Sequence, residues 1–333
     1  MRYRSLKPSL VDAAVGLIAA VVFLFPTWAF SSNGTTAAPI AAIKVASNGP
    51  TKRALDIYRD DDQKPDADLI DFRADRVLAE RGDVDAQARI ARSYWVGMRV
   101  KRDDAEAARW YRKAAEQGKA IAQLDLGLLY ELGQGVEQNY SEAAKWYRLA
   151  AEQGVGSAEV SLGYLYLYGD GLKLDHTEAV KWFQRAANRG NTWGQYNLGY
   201  MYANGKGVTE NDAEAVKWYS LAAAQGNAGA QHNLGVMYAN GEGVAENDAE
   251  AVKWYRLAAE QGNAFGQHNL GWMYANGEGV PESKVDAYFW FNLAAAQGDK
   301  GGRNAKEIIE KRMTREQIAE AQRRSAAWKP KKD

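Results

Sequence analysis

Six tryptophans recur at one interval. Trp110, Trp146, Trp182, Trp218, Trp254 and Trp290 each stand 36 residues from the next, and Gly82, Gly118, Gly154, Gly190, Gly226, Gly262 and Gly298 keep the same step. A period in this range restricts the chain to a stacked architecture, because one unit cannot bury its apolar face alone and must pack on a copy of itself. The hydrophobic 46% of the 333 residues is then spread along the stack instead of gathered into one core.

Each unit divides into two helical patterns. In the first, Gln231, Leu234, Gly235 and Tyr238 repeat as Gln195, Leu198, Gly199 and Tyr202 and as Gln267, Leu270, Gly271 and Tyr274. Steps of three and four put these side chains on one helix face. A helical glycine costs about 1 kcal/mol relative to alanine, so its return at 127, 163, 199, 235 and 271 points to close approach of the adjoining helix. Paired glycines follow, such as Gly205 with Gly207 and Gly241 with Gly243, and predict a left-handed exit from the helix. They do not form a phosphate cradle, since no strand precedes them and no lysine motif follows. The second helix opens on Asp103, Asn139, Asp175, Asn211, Asn247 or Ser283, with Glu106, Glu142, Glu178, Glu214, Glu250 or Asp286 three residues later. That is the capping-box pattern. In the last unit but one, Ala251, Trp254, Ala258 and Gly262 share one face of this helix, so the ladder tryptophans read as scaffold packed among small residues.

These units, with Tyr-Ala-Asn-Gly-x-Gly-Val at 202–208, 238–244 and 274–280 and Glu-Ala-Val-Lys-Trp-Tyr at 214–219 and 250–255, resemble the Sel-one-like repeat family. The resemblance implies an all-α fold: a right-handed α-solenoid of six 36-residue helix-turn-helix repeats, related to tetratricopeptide arrays, with the first helices lining the concave side. It also implies adaptor roles in signalling, envelope assembly or secretion. A cysteine-rich branch of the family is associated with β-lactam binding. This chain has no cysteine, which excludes disulfides, thiolate metal sites and a cysteine nucleophile.

Outside the repeats the chain changes character. Arg2, Arg4 and Lys7 precede an uncharged run from Ala13 to Phe25, with small residues at Thr27, Ala29 and Ser31. Residues 1–30 therefore read as a secretory signal or, if the run extends through Phe30, as a short membrane anchor. In either case the array is exported and periplasmic, soluble after cleavage or tethered to the inner membrane, and membrane contact is confined to residues 10–30 if they are retained. Residues 31–65 read as a flexible linker. Residues 66–82 form an N-terminal capping half-repeat with Ala74 in place of the ladder tryptophan, and 83–298 the six repeats. Residues 299–328 form C-terminal capping helices, the second opening at a Thr314–Gln317 capping box, and 329–333 a solvated basic tail.

No enzyme signature, cofactor site or metal site emerges from the sequence. The repeated glutamates fall at helix starts, no serine lies in a Gly-x-Ser-x-Gly turn, and His176 is placed in an inter-helix turn. His232 and His268 have no carboxylate or third histidine at matching positions and read as groove-lining side chains. Formal charge balances at 42 basic and 42 acidic residues, with no clustered basic face for nucleic acid.

What varies between repeats is the set of positions lying between the recurring ones on the first helices. They hold Val160 and Tyr164, then Trp193, Tyr196 and Tyr200, then His232 and Val236, then Phe265, His268 and Trp272. Irregular aromatics on an expected concave face predict recognition of a peptide or protein partner. Asn204, Asn240 and Asn276 either hydrogen-bond an extended peptide or cap their own helices before glycine. The alternative class is an envelope enzyme or glycan-binding module acting on peptidoglycan or a β-lactam, since aromatic rings also stack on sugars.

Overall fold

The computed structural model describes residues 72–331, and the readings for 1–30 and 31–65 lie outside them. Among the described residues there are fifteen α-helices and no strand. They are α1 (Phe72–Glu80), α2 (Val84–Val96), α3 (Asp104–Glu116), α4 (Ala120–Leu132), α5 (Tyr140–Glu152), α6 (Gly156–Tyr168), α7 (His176–Asn188) and α8 (Thr192–Ala203). Then follow α9 (Asp212–Ala224), α10 (Ala228–Asn240), α11 (Asp248–Glu260), α12 (Ala264–Asn276), α13 (Lys284–Ala296), α14 (Lys300–Glu310) and α15 (Arg315–Ala327). From α1 to α14 each helix packs on the next, so α2–α3 through α12–α13 form six stacked pairs.

The predicted helix starts hold, with one change. Asp103, Asn139, Asp175, Asn211, Asn247 and Ser283 each accept from the amide three residues on. The acids at that third position do not return the bond. Glu106 pairs with Arg109, and Glu142, Glu178, Glu214 and Glu250 pair with the lysine three residues later. A cation one turn away competes for the carboxylate, and the fully reciprocal box occurs at Thr314 and Gln317. His176 is the first residue of α7, not part of a turn.

The core is made by the residue after each ladder tryptophan. Tyr111, Tyr147, Phe183, Tyr219, Tyr255 and Phe291 are buried, whereas Trp146, Trp182 and Trp254 keep part of their surface. This gives the helical glycines their physical reason. A Cβ on Gly235 would lie 2.6 Å from Cδ1 of Tyr255, and Gly127, Gly163, Gly199 and Gly271 meet Tyr147, Phe183, Tyr219 and Phe291 in the same way. The close approach is between helix backbone and an aromatic ring of the same unit. In the turns, the second glycine of each pair lies against the backbone starting the previous unit's second helix, as Gly243 does against Asp212 and Ala213. A side chain there would push successive units apart.

A ladder of glutamines crosses the stack. Gln231 Nε2 donates to the Ala223 carbonyl (3.2 Å) in the preceding unit, while its Oε1 accepts from Gln261 Nε2 (2.9 Å) at the end of its own unit. Gln87, Gln123, Gln195 and Gln267 form the same pair of bonds with partners 8 residues before and 30 after. In the third unit the position is Glu159, fully buried, and the partner 30 residues later is Arg189. A carboxylate cannot donate to the Ala151 carbonyl, and Arg185 Nη2 does so instead (3.0 Å) while its Nε approaches Glu159 Oε1 at 3.1 Å. Burial raises the Glu159 carboxyl above its ordinary range against the opposing pull of both arginines.

At the C-terminal end, α14 and α15 pack on α13. Trp328 meets Trp290, the last tryptophan of the ladder, edge-on at 6.5 Å. The expected solvated tail is instead fastened through its first residues. The Lys331 amide donates to the Glu260 carbonyl (2.8 Å) and Lys331 Nζ to Glu260 Oε2 (2.7 Å). Satisfying a helix-end carbonyl together with a carboxylate anchors the segment at two points.

Candidate functional site

The varied positions of the first helices do not all reach the surface. Val160 is wholly buried, in a cluster with Phe183 and Leu198 against which Tyr164 and Trp193 also pack. Its short side chain ends below the level of the neighbouring rings, so it leaves the expected groove-lining set. Tyr164, Trp193, Tyr196, Tyr200, His232, Val236 and His268 are half-buried. Phe265 and Trp272 are 60% and 43% exposed, and with Tyr168 and Ile308 they place large apolar groups on the outer surface of α6, α12 and α14.

The rings are linked across repeats by amides. Tyr164 Oη donates to Asn197 Oδ1 in the next unit at 2.9 Å, and Asn269 Nδ2 lies 3.2 Å from His232 Nε2. Asn233 and Asn269 also bond the core tyrosines Tyr219 and Tyr255, whose phenols burial shifts upward. Where the core ring is Phe291, with no hydroxyl, the corresponding later position is Ala305. His232 rests near Tyr255 and Phe265 at centroid distances of 6.0 and 5.8 Å. Burial lowers its pKa to about 4, so its imidazole is neutral at pH 7.

His268 has a different task from the one expected. Its Nδ1 lies 2.8 Å from Asp299 Oδ1, and its Nε2 accepts from Trp272 Nε1 at 2.9 Å. Asp299 is also the N-cap of α14, and Gly301 leaves room for the imidazole. One histidine thereby fixes both an exposed indole and the cap helix. Among the asparagines, Asn204 Nδ2 donates to the Tyr200 carbonyl (2.8 Å), a helix-capping bond. Asn240 Nδ2 reaches Glu242 Oε1 at 3.2 Å, and both Asn240 and Asn276 are exposed.

Three consecutive first helices, α8, α10 and α12, contain no Asp, Glu, Lys or Arg. With His232 neutral, α8 and α10 present rings and amides without formal charge, and Lys206, bonded to Tyr200 Oη at 2.9 Å, stands in the turn after α8. Among the described residues no group of three His, Asp or Glu side chains is arranged to hold a metal, and no helix is long and apolar enough to cross a membrane. The aromatic identities were visible in the sequence. The asparagine bridges were missed because their partners stand about 14 or 33–37 residues away, although the recurrence of Asn at 197, 233 and 269 was a signal.

Stacked helix pairs held in register by glutamines and ring-filled glycine slots define an α-solenoid of the repeat-scaffold class. The sequence profile of the Sel1 repeat matches residues 84–119, 120–155, 156–191, 194–227, 228–263 and 264–299. The chain belongs to the Sel1 repeat family. It is similar to the crystal structure of c5321, a protective antigen of uropathogenic Escherichia coli with an SLR fold, at 37% identity and a TM-score of 0.71 over 77% of this chain and 56% of that one. It is also similar to a Sel1 repeat protein from Oxalobacter formigenes, at 35% identity and a TM-score of 0.61 over 68% of this chain and 100% of that one. The chain thus spans little more than half the length of the E. coli structure. No curated protein matches it. Sel1 repeat proteins generally mediate protein–protein interaction and are typically non-catalytic scaffolds.

Proposed function

We propose that this protein is a non-catalytic scaffold of the bacterial cell envelope that holds an uncharged, apolar segment of a protein partner along its first helices. The observation that carries the reading is the face of α8, α10 and α12, helices that hold no Asp, Glu, Lys or Arg, with Phe265 and Trp272 exposed upon it. Large aromatics bring contact area at low conformational cost and serve as anchors. A face without Asp, Glu, Lys or Arg offers no counter-charge, so burying a charged group of the partner there is costly and segments that carry none are favoured. The basic flank and apolar run of residues 1–30 support delivery to the periplasm.

The test is retention of envelope proteins by the purified chain, compared with a Phe265→Ala/Trp272→Ala variant whose helical circular dichroism matches it. A partner retained by the native chain, lost by the variant and insensitive to salt is expected. Retention that survives both substitutions overturns the assignment of this face. Cell fractionation with sequencing of the mature N-terminus checks the location, and recovery of the intact chain in the cytosol contradicts it.

A further inference from the structure

The C-terminal tail shows how the array holds a segment that is not itself a helix. Trp328 packs on the cluster around Trp290, with the two indoles edge-on. Pro330 covers Gly262, 3.6 Å from where a Cβ on that glycine would lie. Lys331 takes the last carbonyl of α11 with its amide and the Glu260 carboxylate with its Nζ. Three positions of the array form this seat: a glutamate ending one second helix, a glycine two residues on, and the ladder tryptophan of the next second helix.

The repeat period sets these three positions along the whole stack, and the residues that fill them decide where the seat survives. Asn188 and Ala224 replace the glutamate ahead of Trp218 and Trp254. Glu80 is held by Arg76 at 3.0 Å, and Lys113 lies over the Trp110 ring at 4.0 Å. Glu152, Gly154 and Trp182 are all present, but the Arg189 guanidinium lies over Gly154, and Arg185 stands 4.5 Å from the centre of the Trp182 ring. The chain's own cations close these places.

Glu116 and Gly118 with Trp146, contributed by α3 and α5, form a seat that is complete and open. Glu116 is exposed and, among the described residues, in no ion pair. Its carbonyl is the last of α3, one of those a helix leaves without an internal partner. A Cβ on Gly118 would meet nothing within 4 Å. Trp146 keeps part of its surface and Leu149, one turn on, is exposed, whereas their counterparts Trp290 and Leu293 are buried.

We propose that this second seat binds an extended segment of a protein partner that carries an aromatic residue, a proline and a lysine at the spacing of Trp328, Pro330 and Lys331. The aromatic ring lies against Trp146 and Leu149, the proline crosses Gly118, and the lysine meets Glu116 and the helix-end carbonyl. An indole favours a second ring edge-on, and the glycine leaves room for the proline. The negative end of the α3 dipole adds to the carboxylate in favouring a cation. This surface belongs to second helices, so the contact is separate from the one assigned to α8, α10 and α12.

The probe is a dye-labelled, end-blocked peptide of residues 325–331, titrated against the full chain by fluorescence anisotropy. Saturable binding that weakens at least ~10-fold in Glu116→Lys, where a charge-assisted bond is lost, is expected. The same peptide carrying Lys331→Glu should fail on the native chain and regain binding on Glu116→Lys. Because the peptide can also displace the tail, Glu260→Lys is the control, and it should leave binding at Glu116 in place. Binding lost in Glu260→Lys but unchanged in Glu116→Lys belongs to the tail's own seat and overturns the proposal, as does the lack of saturable binding. Self-association of the native chain that Glu116→Lys abolishes gives the seat to the tail of a second copy and overturns the assignment to a separate partner.

Discussion

The third and fourth units solve one packing problem in opposite ways. In the fourth, Gln195 joins Ala187 and Gln225 through a neutral amide that donates and accepts at once. In the third, Glu159 accepts only, and two arginines are recruited, Arg189 to face the carboxylate and Arg185 to supply the donor that Ala151 would otherwise lose. The slot therefore demands a complete set of donors and acceptors more than a particular residue, and charge is tolerated there when its partners change in step.

Breaking the correspondence has the largest expected effect. Gln195→Glu alone buries a carboxylate opposite Gln225 and strips the donor from Ala187, and should lower stability by about 3–5 kcal/mol in denaturant unfolding. Adding Leu221→Arg and Gln225→Arg reproduces the third unit's set and should recover all but ~1 kcal/mol, while failure to recover separates Glu159 from its arginines as a compensated group.

Titration distinguishes the units next. His232 has its folded pKa lowered to about 4, so its contribution is present above the unfolded value near 6.5 and is lost as pH falls from there toward 4. The loss reaches at most about 3 kcal/mol, and less where water reaches the ring. His232→Gln should flatten the unfolding curve in that window. Glu159 behaves with the opposite sign. Its folded pKa is raised, so its contribution is complete below the ordinary carboxyl value and is lost as pH rises through the folded one. Replacing Glu159 and Arg189 by glutamine together should remove that slope and leave a neutral rung.

The smallest effect on stability belongs to the exposed face. Phe265→Ala with Trp272→Ala should cost only about 1 kcal/mol by thermal unfolding. A larger loss would make these rings part of the packing between the last repeat and its cap, where Trp272 already bonds His268.

The sequence made the helices, their starts and the repeat period legible because each rests on local rules: spacing of three and four, an acceptor before the first turn, a glycine after the last. It did not distinguish which aromatic fills the core. Trp254 and Tyr255 are adjacent and both recur, and only the direction of the helix decides that Tyr255 enters the glycine slot at Gly235. The glutamine ladder was visible as a recurring residue but not as a network, since its bonds span 8 and 30 residues. Val160 illustrates the limit at the site: it shares a helical position with Tyr196 and His232, but its length, not its place in the period, keeps it below the surface.

The segment at Lys331 reaches back past α13 to Glu260 of α11. The last repeat and the two helices after it are therefore tied into one module whose terminus is fastened 71 residues upstream. A unit added upstream of α11 would leave this fastening in place. A unit inserted between α11 and α14 would carry the fastening point away from the end that grips it.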